Sequence, residues 1–319
     1  MRFVLLFGLP RSGTTWLGKI FDSDPNTLYR HEPDSHQRMG IPLFADPQDR
    51  QLQMAVQRYA KGIPDMRSVS VSGKLPLFRK NYLTDTQLGF YHLSILLAKA
   101  VGKLAPRFPL LYAPRGRPTG LPTAVWKSIE SVGRIGLIRR AIPGSRVILI
   151  IRHPCGYVRS VQKGDSEGYF LGSVASSDDY DLFGKLLETE PARRYGLTLD
   201  KLRVLTPEQR LAWRWALYNE KAMLELEGLS DAMVVRYEDV CADPLGMAAR
   251  MYEFAGMHLG PQTETFLKES TGRQNGGYYS VYKDPQKVAW RWQEELSPDR
   301  IESILAITRS THPGAMFPE

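Results

Sequence analysis

The residues best suited to chemistry form a loop near the start of the chain, Gly8–Trp16, which reads GLPRSGTTW. A short apolar run precedes the loop and a helical pattern follows it. Such a strand–turn–helix directs backbone N–H groups and the positive end of the helix at one point, where a phosphate can bind. Side-chain donors surround that point on Arg11, Ser12, Thr14 and Thr15. We therefore predict that this segment, the phosphate loop, binds a phosphate group.

The phosphate loop lacks the lysine of nucleoside-triphosphate loops. Gly8 and Gly13 have the spacing of G-x-x-x-x-G-K-[ST], but Thr14 stands at the lysine position. That lysine contacts the β- and γ-phosphates of a triphosphate. We therefore expect a ligand with one phosphate or phosphate ester at this position. The structural alternative is an ordinary strand–turn–helix junction.

A second candidate anion site lies at residues 152–160. Arg152 follows an apolar strand, and the carboxyl ends of such strands are where ligands bind in open α/β sheets. Ser160 is placed about two turns into the next helix. An arginine and a hydroxyl in this arrangement can hold a second phosphate, with two parallel hydrogen bonds from the arginine. For Arg152 alone, a surface ion pair is the alternative.

The elements that must position these residues alternate between strands and helices. Strands are predicted at residues 2–7, 27–29, 123–127, 146–151 and 232–236. Helices are predicted at residues 49–59, 83–104 and 133–141, from residue 155, from 206 to 228, and from 298 onward. Fully apolar strands between helices are typical of parallel sheets covered on both faces. We predict a three-layer α/β fold with a central parallel sheet, as one domain over residues 1–319 with an insertion at about 34–122 that shapes an acceptor cleft.

Composition limits the class of protein. The 319 residues are 43% hydrophobic and 24% charged, which suits a globular chain with a large core. The net charge of +8 suits anionic ligands, but the basic residues are scattered, so we do not expect nucleic acid as a partner. Cys155 and Cys241 cannot form a disulfide framework, which predicts a reducing compartment. Neither a signal peptide nor a membrane span is evident, so we expect a cytoplasmic protein.

The two anion motifs together resemble those of the sulfotransferases that use 3′-phosphoadenosine 5′-phosphosulfate (PAPS). The resemblance implies that the phosphate loop binds the 5′-phosphosulfate and that Arg152 and Ser160 bind the 3′-phosphate. The segments Tyr237–Asp239 and Trp290–Arg291 also resemble family signatures. By the same resemblance, Tyr237 borders the adenine pocket and Trp16 stacks on the adenine, with core packing as the alternative for both. A basic segment at 271–285 lacks the family's usual Arg-Lys-Gly and is not assigned to the site.

The resemblance also suggests a cation for the leaving phosphate. Cytosolic family members carry a Lys-Thr-His segment at about the position of Lys127, where the lysine contacts the bridging oxygen and the histidine is the base. This chain has Lys127 followed by Ser128 and Ile129, and isoleucine cannot accept a proton. We therefore predict that Lys127 stabilises the leaving phosphate and that the base lies elsewhere. A plain surface lysine is the alternative.

Glu32 is the predicted base. It lies in the segment RHEP at residues 30–33, which resembles the Glu-Pro segment of carbohydrate sulfotransferases and a glutamate used by tyrosylprotein sulfotransferases. Its place after the second strand puts the carboxylate at a strand tip beside the phosphate loop. His31 and His36 are alternatives as the base. The structural alternative is a surface carboxylate paired with a neighbouring arginine, Arg30 or Arg11.

We therefore predict an enzyme that moves a sulfuryl group from PAPS to a hydroxyl, less readily an amine, and releases adenosine 3′,5′-bisphosphate (PAP). The acceptor is expected to be a small molecule, a glycan or a secondary metabolite. No metal is expected, because the acidic and histidine residues at 31–36 match no ligand spacing. Two other classes stay open: a phosphotransferase or nucleotide kinase, which Thr14 disfavours, and a non-catalytic PAP-binding protein, which Lys127 and Glu32 disfavour. The identity of the acceptor and the oligomeric state, a homodimer included, are left open.

Overall fold

A five-stranded parallel sheet forms the centre of the molecule in the computed structural model, which describes residues 1–102, 110, 112–114, 122–168, 174–272 and 284–318. The strands in chain order are β1 (Phe3–Phe7), β2 (Thr27–His31), β3 (Thr123–Ser128), β4 (Arg146–Ile151) and β5 (Ala232–Arg236). Their spatial order is β2-β3-β1-β4-β5, and each neighbouring pair is parallel. All five carboxyl ends therefore meet at one edge of the sheet, as predicted.

Helices surround this sheet. Among the described residues, α1 to α17 span, in chain order, Thr14–Asp22, Pro33–His36, Arg50–Gly62, Val69–Ser72, Asp85–Gly102, Ile135–Ala141, Pro154–Ser166, Tyr180–Leu187, Glu190–Arg194, Leu199–Arg203, Pro207–Leu226, Tyr237–Ala242, Pro244–Phe254, Pro261–Gly272, Pro285–Trp290, Trp292–Glu295 and Pro298–Thr308. Short 3₁₀ turns lie at Ile63–Asp65, Val132–Arg134 and Gly314–Met316. None of these described helices combines the length and apolar character needed to cross a bilayer.

The two faces of the sheet bury separate apolar cores. Successive side chains of β1 alternate between them, because neighbouring residues of a strand point to opposite faces. Leu5 and Phe7 pack with α6, α7 and α11, whereas Val4 and Leu6 pack with α1, α13 and α14. This is the predicted three-layer α/β fold, and its prediction is confirmed.

The long helix α11 fixes the backbone at the carboxyl end of β4. Its amino end has a capping box, in which Thr206 and Gln209 each accept a hydrogen bond from the backbone N–H of the other. Further along, the indole of Trp215 donates to the carbonyl oxygen of Arg152 at 2.9 Å. The backbone that carries Arg152 is therefore fixed by a completely buried side chain.

The segment between β2 and β3 contains helices α2 to α5. One side of α5 is buried in a small core of its own, with Tyr91 and Ile95. The other side exposes four large apolar side chains, Phe90, Leu93, Leu96 and Leu97. Three arginines of this segment, Arg107, Arg115 and Arg117, lie outside the described residues. That this segment is an insertion that shapes an acceptor cleft stays a prediction.

Candidate active site

The phosphate loop turns into α1 through two residues with left-handed backbone, Arg11 (φ 73°) and Gly13 (φ 81°). Gly13 is the cap residue of α1, and no side chain caps that end of the helix. The first-turn N–H groups of α1 therefore have no side-chain oxygen as a competing acceptor at the cap. Ser12 and Thr14 are buried within the turn, whereas Arg11 and Thr15 are half-buried. This geometry suits an anion, as the sequence predicts.

Gly13 also faces the ring of Tyr237, which leaves no space for a side chain. A Cβ atom at Gly13 would lie 2.2 Å from Cε2 of Tyr237. Gly13→Ala is therefore expected to lower the melting temperature and weaken PAP binding. The left-handed backbone alone costs about 1–2 kcal/mol, and the steric overlap adds about 1–3 kcal/mol.

Gly40→Ala is the matched control for this prediction. Gly40 has a similar φ of 70°, but a Cβ there would have no atom within 4 Å. Thermal unfolding should show a larger decrease in melting temperature for Gly13→Ala than for Gly40→Ala. The difference between the two decreases measures the steric overlap with Tyr237. Equal decreases in the two variants would contradict this packing.

The second anion motif meets the phosphate loop. Arg152 is buried, and its terminal nitrogens donate to the carbonyl oxygens of Arg11 at 2.9 Å and Val288 at 2.8 Å. The hydroxyl of Ser160 accepts a hydrogen bond from Nε of Arg11 at 2.9 Å. The alternative of a surface ion pair for Arg152 is therefore wrong. The structure brings together the residues that the two motifs predict.

Two aromatic residues lie beside the loop. Tyr237 starts α12, directly after β5, and the Arg152 guanidinium lies 5.0 Å from the centre of its ring. Burial raises the pKa of the Tyr237 phenol well above its usual value of 10, so the hydroxyl stays protonated. Trp16 belongs to the same apolar core as Tyr237, and its indole N–H donates to the Ser270 hydroxyl at 3.1 Å. Contact of either residue with adenine stays a prediction.

The predicted catalytic residues meet at the ends of β2 and β3. The register pairs His31 with Lys127, and the backbone N–H of Glu32 donates to the Lys127 carbonyl oxygen at 2.8 Å. The Lys127 ammonium then donates to Oε1 of Glu32. The Lys127 side chain is 1% exposed and that of Glu32 18% exposed. Burial lowers the pKa of Lys127 below its usual value of 10.5, although the Glu32 carboxylate raises it in part.

The surface-lysine alternative for Lys127 and the pairing of Glu32 with Arg30 are both wrong. Lys127 is buried and therefore is not a surface lysine. Glu32 has Lys127 as its partner, and Arg30 points elsewhere, since its guanidinium donates to backbone carbonyl oxygens that include those of Ile63 and Pro114. Neither observation tests whether Glu32 acts as a base.

Asp34 is a buried residue of this region that the sequence did not single out. Its carboxylate accepts hydrogen bonds from the indole of Trp126, at 3.2 Å, and from the hydroxyls of Ser128 and Ser131. These contacts fasten α2 to the end of β3. Glu32, which caps α2 with a left-handed backbone (φ 46°), is thereby held in place. No local sequence signal reveals this role, because the partners lie more than ninety residues away.

His31, which the sequence offers as an alternative base, lies next to Glu32 and is buried. Its Nδ1 is 2.8 Å from the Tyr29 hydroxyl, and its Nε2 is 3.7 Å from Oε1 of Glu32. Burial, reinforced by the positive charge of Lys127, lowers the pKa of His31 well below its usual 6.5. The imidazole is therefore neutral at pH 7. His36, the other alternative, ends α2 and is exposed.

Within the described ranges, no group of three or more histidine, cysteine, aspartate or glutamate side chains is placed to hold a metal ion. Cys155 and Cys241 are both buried and do not form a disulfide.

Comparison with known proteins places these features in a family. A model of the Sulfotransferase family matches residues 4–261. Human carbohydrate sulfotransferase 3 is 40% identical over 63 residues, 19% of this chain and 13% of that protein. Mouse carbohydrate sulfotransferase 5 is 29% identical over 76 residues, which are 22% of this chain and 19% of that protein. The chain thus matches only a small part of the length of these relatives.

Solved structures of sulfotransferases are similar over most of the chain. A sulfotransferase domain from the curacin biosynthetic pathway is 16% identical with a TM-score of 0.45, and the alignment covers 96% of this chain and 98% of that domain. Mouse sulfotransferase SULT7A1 in complex with PAP is 11% identical with a TM-score of 0.44, over 99% of this chain and 87% of that chain.

The family match spans most of the chain, so the protein belongs to the sulfotransferase family. The family predicted from the two anion motifs is confirmed.

Proposed function

We propose that this protein transfers a sulfuryl group from PAPS to a hydroxyl group, with Glu32 as the base and Lys127 stabilising the leaving phosphate. One observation carries the proposal: a carboxylate–lysine pair lies at the same sheet edge as two anion motifs that contact each other. That edge of a parallel sheet is where ligands bind in open α/β folds. A pure binding protein would need the anion motifs but not the pair.

The residues present fit an adenosine nucleotide with two separate anionic groups. Nε of Arg152 is buried and has no hydrogen-bond partner among the described residues, so a donor is available at the second motif. At the first motif, the left-handed turn at Gly13 exposes backbone N–H groups rather than a side chain. Arg11 to Thr15 would hold the 5′-phosphosulfate, and Arg152 with Ser160 the 3′-phosphate.

The roles of the catalytic pair follow from its charges. PAPS supplies the sulfuryl group, whose bond to the 5′-phosphate oxygen breaks as a bond to the acceptor oxygen forms. Glu32 takes the proton that the acceptor hydroxyl loses. Lys127 donates a hydrogen bond where negative charge develops on the leaving oxygen, and its buried position strengthens that contact. The pairing of the two side chains before the reaction keeps both near the transfer point.

The acceptor is proposed to be a glycan, with a small molecule or a secondary metabolite as the alternative. The local similarity to carbohydrate sulfotransferases favours the glycan. We also propose that the segment between β2 and β3 shapes the acceptor cleft, that the site needs no metal, and that nucleic acid is not a partner. A cytoplasmic location is supported by two buried cysteines that form no disulfide.

A screen of acceptors with PAPS, read by the mass gain of one sulfuryl group, tests this function directly. Transfer to at least one acceptor is expected. ATP turnover that depends on Mg²⁺ would instead indicate the phosphotransferase alternative. Binding of PAP with no transfer across glycan, phenol and alcohol acceptors would indicate the non-catalytic alternative.

The second anion motif predicts a preference for PAP over AMP. Because a charge-assisted contact contributes about 1.5–3 kcal/mol, PAP is expected to bind roughly ten- to a hundredfold more tightly. Arg152→Ala should remove most of this preference, whereas Arg152→Lys, which keeps a charge but not the planar fork, should retain part of it. Calorimetry with the two nucleotides gives the ratio. Equal affinities in the unmodified protein would remove the 3′-phosphate site from the proposal.

A further inference from the structure

His31 contacts Glu32 of the Glu32–Lys127 pair on one side and Tyr29 in the interior on the other. Tyr29 and His31 point to the same face of β2, and the two side chains are joined by the 2.8 Å contact between the Tyr29 hydroxyl and Nδ1. The other ring nitrogen faces Glu32, with 3.7 Å between Nε2 and Oε1. A row of three side chains therefore runs from the interior to the carboxylate that the proposed function makes the base.

The hydrogen bond to Tyr29 links the role of its hydroxyl to the tautomer of His31. Burial raises the pKa of Tyr29 well above 10, so its hydroxyl remains protonated and needs an acceptor. Nδ1 of His31 is the partner that the described residues provide. A neutral imidazole has one donor and one acceptor nitrogen. With the Tyr29 hydroxyl as the donor, Nδ1 accepts and Nε2 carries the N–H that faces Glu32.

We propose that His31 is a positioning residue for the base: its Nε2–H donates to the Glu32 carboxylate once Lys127 has turned to the leaving phosphate. This inference rests on the proposed function. In the structure, Lys127 occupies Oε1 of Glu32, and Nε2 of His31 is just beyond hydrogen-bond distance from the same atom. When Lys127 turns away, His31 is a neighbour that can orient the carboxylate toward the acceptor.

A neutral donor suits this role better than a second cation. Three lysines face His31 from separate elements, Lys127 on β3, Lys19 on α1 and Lys74 after α4, with His36 of α2 nearby and the Glu32 carboxylate as the negative group. Burial and the lysines outweigh that carboxylate, so the pKa of His31 is lowered and a proton on both ring nitrogens is disfavoured. The imidazole therefore keeps one fixed donor over the pH range in which a carboxylate base titrates. It orients Glu32 without competing with it for the acceptor proton.

The tautomer can be tested on the free protein. Two-bond ¹H–¹⁵N correlation spectra of histidine-labelled protein distinguish Nε2–H, Nδ1–H and imidazolium forms, and His31→Gln identifies the signal among the six histidines. We expect the Nε2–H form from pH 8 down to well below pH 6.5, because the pKa of His31 is lowered by burial. Tyr29→Phe should release the constraint and yield a mixture of tautomers. An Nδ1–H form, or an imidazolium at pH 6, would overturn the proposal.

Kinetics test the donor itself. His31→Ala is expected to lower kcat about 10–100-fold, the effect of one hydrogen bond to a charged group, with the KM for PAPS and the affinity for PAP unchanged. His31→Gln places an amide N–H near the position of Nε2 and should restore most of kcat. The acidic limb of the kcat–pH profile should move to higher pH in His31→Ala and return in His31→Gln, because a donor favours the ionised carboxylate. His258→Gln, on the exposed loop after α13, should change none of these values.

The outcomes separate this inference from the proposed function. If Glu32→Gln loses activity while His31→Ala keeps kcat within about twofold and an unmoved acidic limb, the positioning role is wrong and the base stands. If His31→Gln is as slow as His31→Ala, the donor is not what matters. If Glu32→Gln is fully active, the proposed function fails and this inference with it. Should His31→Ala not fold, the tautomer spectrum and the His31→Gln profile decide.

Discussion

Glu32→Gln is expected to lower kcat by about 10²–10⁴-fold, the usual contribution of a positioned general base. The amide keeps the size of the carboxylate and an oxygen that can accept the hydrogen bond from Lys127, but it cannot take the acceptor proton. PAP affinity should be unchanged, because the two anion motifs lie on the phosphate loop and on β4 with α7 rather than at the end of β2. The measurement is kcat with saturating PAPS and an acceptor from the screen, together with calorimetry for PAP.

Glu227→Gln is the control for this variant. Glu227 is an exposed carboxylate at the end of α11, so its substitution should leave kcat unchanged. The Glu32 variant should also lose the acidic limb of the rate profile, since no carboxylate remains to be protonated. Near-full activity of Glu32→Gln would show that Glu32 is not the base, and His36 or His31 would then be the candidates.

The extent to which the sequence predicts this fold depends on which interactions are local. Consecutive apolar residues identify β4, whose predicted and observed bounds agree at Arg146–Ile151. The second strand was predicted to end at Tyr29 but continues to His31. The reason is that buried Arg30 satisfies its donors with carbonyl oxygens of Ile63 and Pro114, far along the chain. From the sequence alone, a charged side chain such as Arg30 predicts the end of a buried strand, because its remote hydrogen-bond partners are not visible.

The same distinction holds for the site. The phosphate loop and Arg152 are recognisable because spacing and strand position identify them, and the structure places them in contact. Asp34 could not be singled out, because its partners lie more than ninety residues away and only the fold brings them near. Tyr29 is only two residues from its partner His31, but the predicted strand ended at Tyr29, so the two were not placed on one face of a strand. Most of the basic segment at 271–285, residues 273–283, lies outside the described ranges.

Lys127→Met is expected to lower kcat by about 10²–10³-fold, as when one preorganised donor to developing charge is lost. Methionine is close to lysine in length and apolar, so the buried position should accept it. PAP affinity should change little, since Lys127 contacts Glu32 and not the residues proposed for the 3′-phosphate. The acidic limb of the rate profile should remain, because Glu32 is intact. Activity within about threefold of the unmodified protein would remove Lys127 from the catalytic role.

The alkaline limb of the kcat–pH profile tests whether Lys127 acts in catalysis or serves only as a structural partner of Glu32. Only the protonated ammonium can donate to the leaving oxygen, so activity should fall as pH rises through the pKa of Lys127. Burial lowers that pKa, which places the limb below the usual lysine value of 10.5, and Lys127→Met should abolish it. Because the two side chains touch, the Glu32→Gln/Lys127→Met double variant should lose less than the product of the two single losses. Strictly multiplicative losses would mean that the resting ion pair does not couple the base to the cation.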